Sequence, residues 1–403
     1  MAYRVDRRTV SIDEARGTLA VHGEPIARVE RLAIDAAAGR VVARDVFAAF
    51  DIPPFARAVM DGYAVKAIDT DGASRDTPVH LTLVESIFTG SVPTRAIELG
   101  ECSGVATGAP LPKGADSVVM VEQSSRDGSH VLIFEPSRAG QHVGRAGGDL
   151  VGGELALGEG TVLTPARIGV AAALGLTDLE VFARPRVAIL STGDEIVAPG
   201  GRLGPGQIFD ANTSALAAAV AGHGGEPVVQ PRTRDDRAAL TEAFNNAVRE
   251  DLVLFCGGSS VGERDFSLEI LSGLGMVHFE GLQLKPGKPT IFATVDGVPV
   301  FGLPGNPVSC LTNMYLFVAP MLRRIARLPP PIERVVPARL ADEVSSPRGR
   351  HQVYPVRLEG DTAVPVFKTS GEITSLARAD GFFEIPADVE RVEAGTRIEV
   401  VLF

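Results

Sequence analysis

LVLFCGGSSVGERDFSLEILSGL, residues 252–274, decides the fold. Its first five residues are apolar throughout, as suits a strand buried on both faces. GGSSVGERD then reads as a turn and FSLEILSGL as a helix. A strand running through a glycine turn into a helix is half of a βαβ unit. The alternation continues on both sides. RVAILSTGDE (186–195) is a buried strand ending in a glycine-bearing turn, residues 212–221 are a helix, and 227–230 are a strand. In residues 236–249, Leu240, Ala243, Phe244, Ala247 and Val248 share one helical face. VPVFGLP (298–304) is another strand, and Asn306-Pro307 starts a long helix with a cap followed by proline. This predicts a doubly wound, mainly parallel α/β domain over 179–327.

Upstream, Ser11-Ile-Asp-Glu14 is a capping box that predicts a helix start, and residues 30–39 suggest a second helix. PPFARAVMDGYAV (53–65) is rich in turn formers around Asp61-Gly62. Short apolar runs broken by Gly and Pro over 79–135 read as a β-rich module, inserted at about 52–140 in an N-terminal region spanning 1–178. Thr164-Pro165 opens a helix reaching about residue 176. LPPP (328–331) reads as a linker, and the β-type runs beyond it predict a small barrel or sandwich over 328–403. The fold class is therefore multidomain α/β.

The net charge is −11 and aromatics are 5% with no Trp, which opposes a base-stacking or non-specific nucleic-acid surface. An anionic substrate needs a local basic pocket. GLQLKPGKPT (281–290) offers one, because only five of the 39 Lys and Arg residues are lysine and two of them, Lys285 and Lys288, stand together here. Lysine is a compact point charge suited to one oxyanion. Cys102, Cys256 and Cys310 are far apart with no CxxC, so neither a disulfide framework nor a zinc site is expected, and buried free thiols are. The seven His form no HxH or HExxH pair. The first residues lack the apolar stretch of a signal peptide, and no run of about 18 apolar residues occurs. The expected setting is the cytoplasm, with no membrane partner.

Ligands of an open α/β sheet bind beyond the carboxyl ends of its strands. Three loops are expected there: STGDE (191–195), GGSSVGERD (257–265) and GLPGNPVS (302–309). The glycine loop reads as a tight turn or as a phosphate cradle. Walker A, GxGxxG and Ser-His-Asp signals are absent. Helix ends and lysines beside Asp194, Glu195 and Asp265 suit a phosphate ester with a divalent cation. Asp194 and Asp265 read equally well as capping or surface acids.

Six blocks in order, PPFARAVMDGYAV, ATGAPLPKGADSVVMVE (106–122), ILSTGDEIV with GPGQIFDANTSAL (189–216), LFCGGSSVGERDF (254–266), LKPGKP (284–289) and GLPGNPVSC (302–310), resemble the molybdopterin molybdenumtransferase family, the MoeA type, similar also to the E domain of gephyrin. SLARADGF (375–382) extends the resemblance, which spans about 8–400. Cys256, where Ser or Thr is more usual, and Ala58 in place of Ser depart from the pattern. The resemblance implies insertion of molybdate into adenylylated molybdopterin with release of AMP, aided by Mg²⁺. It implies an elongated homodimer with a MoaB/Mog-like α/β domain and a C-terminal β-barrel, and a transient contact with a molybdopterin adenylyltransferase. Its implied catalytic residues are Asp61, Glu195, Asp265, Lys285 and Lys288, with Glu195 and Asp265 as metal ligands. Its implied substrate-binding residues are Thr107, Asp149, Asp194, Asp235, Asp236, Gly258, Ser259, Pro289, Pro304, Asn306, Pro307, Ser309, Arg350 and Ser370. The rival readings are molybdopterin adenylyltransfer and a non-catalytic cofactor carrier or scaffold. The long N-terminal half and the C-terminal module speak against the first, and the intact lysine, Asp265 and GNP motifs against the second.

Overall fold

The computed structural model describes residues 9–234, 236–257 and 266–403. The chain divides into two compact units, Met1–Glu30 with Phe182–Phe403, and Arg31–Val181.

The first unit is built on a six-stranded sheet: β1 Arg186–Ser191, β2 Glu226–Val229, β3 Leu252–Cys256, β4 Met276–Glu280, β5 Ile291–Val295 and β6 Val298–Leu303, in the order β2-β1-β3-β6-β5-β4. The first four of that order are parallel. Strands β5 and β4 run antiparallel to their neighbours. The all-apolar runs are explained by cover on both faces. Alternate residues point opposite ways: Val187, Ile189, Leu252 and Leu254 join one core, and Ala188, Leu190, Val253 and Phe255 join the other. Helices α1 Ala211–Gly222 and α4 Pro307–Asn313 face the first core, and α2 Arg237–Ala247 and α3 Phe266–Leu274 the second. Glycine is required at 302 because it pairs with Phe255, and a Cβ there would lie 2.4 Å from that ring.

Strands β4 and β5 are missing from the sequence reading. The signal was present, since Asp296-Gly297 between IFATV and VPVF has φ of 49° and 83° and closes a two-residue hairpin. Helix Ile12–Ala20 starts with the expected capping box: the Ser11 Oγ accepts from the Glu14 N–H at 3.2 Å, and the Glu14 carboxylate accepts from the Ser11 N–H at 2.8 Å. Its Ile12, Ala15 and Leu19 enter the first core. Helix α4 passes through one π turn, Met314–Val318, into a further helix, Ala319–Ile325. Among the described residues no helix is long and apolar enough to cross a membrane.

The C-terminal segment forms a closed ring. Strands Val335–Leu340, His351–Glu359, Thr362–Pro365, Gly381–Ile385 and Arg397–Leu402 each pair with two others of the ring. A barrel, rather than a sandwich, thus removes the exposed edges. The lysine segment joins it from outside: Leu284–Lys285 pairs in parallel with His351 and Gln352.

In the second unit a six-stranded sheet has the order Ser117–Met120, Gly62–Val65, Glu101–Val105, Val79–Ile87, His130–Ile133, Ser124–Asp127, in keeping with the β-rich module. Thr164 caps helix Pro165–Ala173 through the Arg167 N–H at 3.4 Å. The helix expected over 30–39 does not form. Val29–Ala33 is a strand and Ile34–Ala36 a single 3₁₀ turn. The Ile34 N–H donates to the Thr177 carbonyl at 3.1 Å and Ala37 is fully buried. Tertiary pairing here overrides the weak helical preference of an Ala-rich stretch too short to nucleate alone.

Candidate functional site

Register decides which loops meet. Ser191 is level with Cys256 and Cys256 with Leu303, so β1, β3 and β6 end side by side. The chain leaves them as Thr192–Glu195, Gly257 and Pro304–Asn306. The Thr192 N–H donates to the Cys256 carbonyl at 3.0 Å. A Cβ at Gly257, whose φ is 119°, would lie 2.3 Å from the Thr192 carbonyl oxygen, so only glycine lets the two backbones pass this closely. Gly258, Ser259 and Asp265 lie outside the described residues, as does Asp235.

Asp194 and Glu195 are exposed in the turn after β1. The Glu195 carboxylate folds back over Gly193, where a Cβ would stand 2.7 Å from its oxygen. Asp210 caps α1, accepting from the Thr213 N–H at 2.9 Å and its hydroxyl at 2.7 Å. From the first turn of α1, the Asn212 side-chain amide donates to the Gly305 carbonyl at 2.7 Å, tying α1 to the GNP loop. Asp236 caps α2, its Oδ1 accepting from the Ala239 N–H at 2.9 Å.

Asn306 stands at the cap position of α4 but makes no side-chain cap, contrary to the sequence expectation. Its Nδ2 donates instead to the Ser370 Oγ at 2.9 Å, and the Val308 N–H donates to the Ser370 carbonyl at 3.1 Å. A residue following the barrel strand Thr362–Pro365 has taken over one of the free amides of the first helical turn. Asn306, Pro307 and Ser370 are thereby brought together, with Ser309 buried one turn on and Pro304 buried before them.

In the lysine loop, Lys285 is half-buried and Lys288 exposed, with Pro289 between Lys288 and the buried Thr290. The Lys288 carbonyl accepts from the Leu282 N–H at 2.8 Å and the Thr290 N–H at 2.9 Å. Arg350 is exposed and immediately precedes His351, the residue paired with Leu284, so it adjoins the lysine segment.

In the second unit, described by itself, the Asp61 Oδ1 accepts from the Thr107 N–H at 2.6 Å and from its hydroxyl at 2.8 Å. These two bonds, the amide first, hold the Asp61 carboxyl below the usual carboxylate range. A lowered folded pKa means that its contribution is full above the ordinary carboxylate range and is lost as pH falls through the folded value. Thr107→Val should therefore move the Asp61 titration upward, as followed by carboxyl-carbon NMR. An unmoved titration would show that the hydroxyl adds nothing to the Thr107 amide, which valine keeps. Asp149 is exposed, with its N–H donating to the Ile52 carbonyl at 3.0 Å.

All three cysteines are buried and free, as expected. What sequence spacing could not show is that the Cys256 and Cys310 sulfurs lie 3.6 Å apart beneath the loops. Their mutual hydrogen bond and burial push the Cys256 thiol well up, which favours the neutral thiol over the thiolate.

Residues 10–175 match the MoeA N-terminal region (domain I and II), 188–324 a probable molybdopterin binding domain, and 337–403 the MoeA C-terminal region (domain IV). The chain is 37% identical over 374 residues to molybdopterin molybdenumtransferase 2 of Mycobacterium tuberculosis (strain ATCC 25618 / H37Rv), covering 90% of this chain and 92% of that one. It is 37% identical over 325 residues to molybdopterin molybdenumtransferase of Nostoc sp., covering 79% and 74%. The solved structure of a molybdopterin biosynthesis MoeA protein from Pyrococcus horikoshii superposes with a TM-score of 0.86 at 39% identity, covering 98% of this chain and 99% of that one.

Proposed function

The chain belongs to the molybdopterin molybdenumtransferase family, and from that premise we propose that it inserts molybdate into adenylylated molybdopterin with release of AMP, a step of molybdenum cofactor biosynthesis. One observation carries the reading: three parallel strands end level, and their loops share a rim with the Ser370-bound start of α4. Helix starts present free N–H groups and positive dipole ends to anions. Lys285 and Lys288 add point charges on a segment held by the barrel.

The chemistry is then electrostatic. The lysines and the α4 start hold the oxyanion, and Arg350 and Ser370 complete that side. Asp194, Pro289, Pro304, Asn306, Pro307 and Ser309 shape the rim, and Gly258 and Ser259 are further substrate-binding residues of this reading. Asp61 and Thr107 act as one unit, with Asp149, Asp235 and Asp236 as further substrate contacts. Glu195 and Asp265 are the residues that would hold Mg²⁺. Among the described residues no group of three His, Cys, Asp or Glu is assembled. Magnesium takes one or two carboxylates, keeps several waters and borrows phosphate oxygens from a substrate. The exposed Glu195 carboxylate fits this donor set. When bound, the ion supplies charge neutralisation at the phosphoanhydride. The protein is further read as a cytoplasmic homodimer.

AMP release from adenylylated molybdopterin, measured with and without molybdate in the presence of Mg²⁺, tests the reading. Molybdate-dependent release is expected. Substrate binding without release would make the protein a carrier and overturn it.

A further inference from the structure

Asn313 is the one amide side chain in the helical run of residues 307–325, and it is fully buried. A buried amide is costly unless it is hydrogen-bonded. Its Nδ2 donates to the Thr290 Oγ1 at 2.6 Å and to the Gly287 carbonyl at 3.1 Å. The Thr290 hydroxyl donates to that same carbonyl at 2.8 Å. The amide's orientation follows, because the Gly287 carbonyl can only accept. The other side of the amide lies against Gly287, where a Cβ would be 2.7 Å from the Asn313 Oδ1 and where φ is 121°. The Oδ1 has no hydrogen-bond partner among the described residues.

The helix bends its geometry around this residue. It is α-helical through Asn313, and the π turn begins at Met314. A π turn changes the helical phase and commonly marks a functional position. Here Met314, Phe317 and Val318 stay in the core while Asn313 faces the lysine loop. Ser309 lies four residues before Asn313, one turn away on the same face. One helix thus carries both the anion-facing start and the clamp on the Lys285–Lys288 loop.

We propose that Asn313 is a positioning residue that sets the lysine loop against the start of α4, through Gly287 and Thr290, and so tunes the oxyanion pocket without touching its ligand. This rests on the function proposed above and names a further residue of that site. Displacing a binding group by about 1 Å can cost on the order of 100-fold. The loss should fall on molybdate binding, since the clamp shapes a ground-state pocket.

Asn313→Ala is expected to raise the KM for molybdate about 10- to 100-fold with a much smaller change in kcat. It should also speed amide hydrogen exchange in residues 281–290 of the full-length protein. Asn313→Asp, which keeps the shape but faces Gly287 with an acceptor, should be at least as impaired. Thr290→Val removes the shared hydroxyl from the other side and serves if the Asn313 variants fail to fold. Unchanged KM and unchanged loop exchange overturn the inference. If the wild-type protein shows no molybdate-dependent release, the enzyme reading has failed. The exchange measurement then decides the clamp alone: faster loop exchange supports it and unchanged exchange overturns it.

Discussion

Lys288→Ala should lower kcat/KM for molybdate by about 100- to 1000-fold while leaving the melting temperature where it was. The two halves of that expectation come from different atoms of one residue. The backbone of Lys288 is structural, since its carbonyl receives the Leu282 and Thr290 amides that close the loop. Alanine keeps both bonds. The side chain is exposed, so the fold does not depend on its burial. On the proposed function its ammonium is a compact charge that contacts the oxyanion, and removing one such preorganised donor costs far more in the transition state than in the free protein. Lys288→Arg should restore little, because a planar fork does not reproduce a point charge on a short reach. Turnover against molybdate concentration and a thermal melt on the same preparation check this. Wild-type turnover in Lys288→Ala would remove the lysine from the proposed chemistry.

The second large effect is on stability. Gly62 pairs with Met120 in one neighbouring strand and Val105 in the other. A Cβ at Gly62 would lie 1.9 Å from the Val119 carbonyl oxygen and 2.9 Å from its carbon. Both obstacles are backbone, so no rotamer change relieves them and the strands must part. Gly62→Ala should therefore destabilise the unit Arg31–Val181 by roughly 3 kcal/mol or more. Asp61 is the preceding residue, and its bonds to Thr107 should loosen with the sheet. Denaturant melts of the variant, with the Asp61 titration as a local probe, test both consequences. A variant as stable as the wild type, with Asp61 still titrating low, would mean that the two strands separate at little cost.

Much of the fold is legible in the chain because it is written in local chemistry. Leu252–Cys256 must be a strand buried on both faces, since five consecutive apolar side chains leave no face for water. Ser11 and Thr164 announce helix starts because a side-chain oxygen three residues before an amide can satisfy it. The scarcity of lysine makes Lys285 and Lys288 conspicuous by composition alone. The blocks around them suffice to place the chain in its family.

Tertiary structure decided what depends on partners distant in sequence. Residues 30–39 carry a helical composition, yet Ile34 bonds to Thr177 and the segment extends. Asn306 has the chemistry of a cap, but Ser370, 64 positions away, takes its Nδ2–H on the hydroxyl, and the Ser370 carbonyl accepts the Val308 N–H that a cap would have served. Asp61 and Thr107 are 46 positions apart and become a single unit only when their strands pair. Asn313 carries no signal in the sequence, and its partners Gly287 and Thr290 meet it only when the lysine loop folds against the helix. Side-chain size and charge act over a turn or two of chain and can be read there. Which hydrogen-bonding group meets which is settled by strand register and burial, and those exist only once the chain has closed on itself.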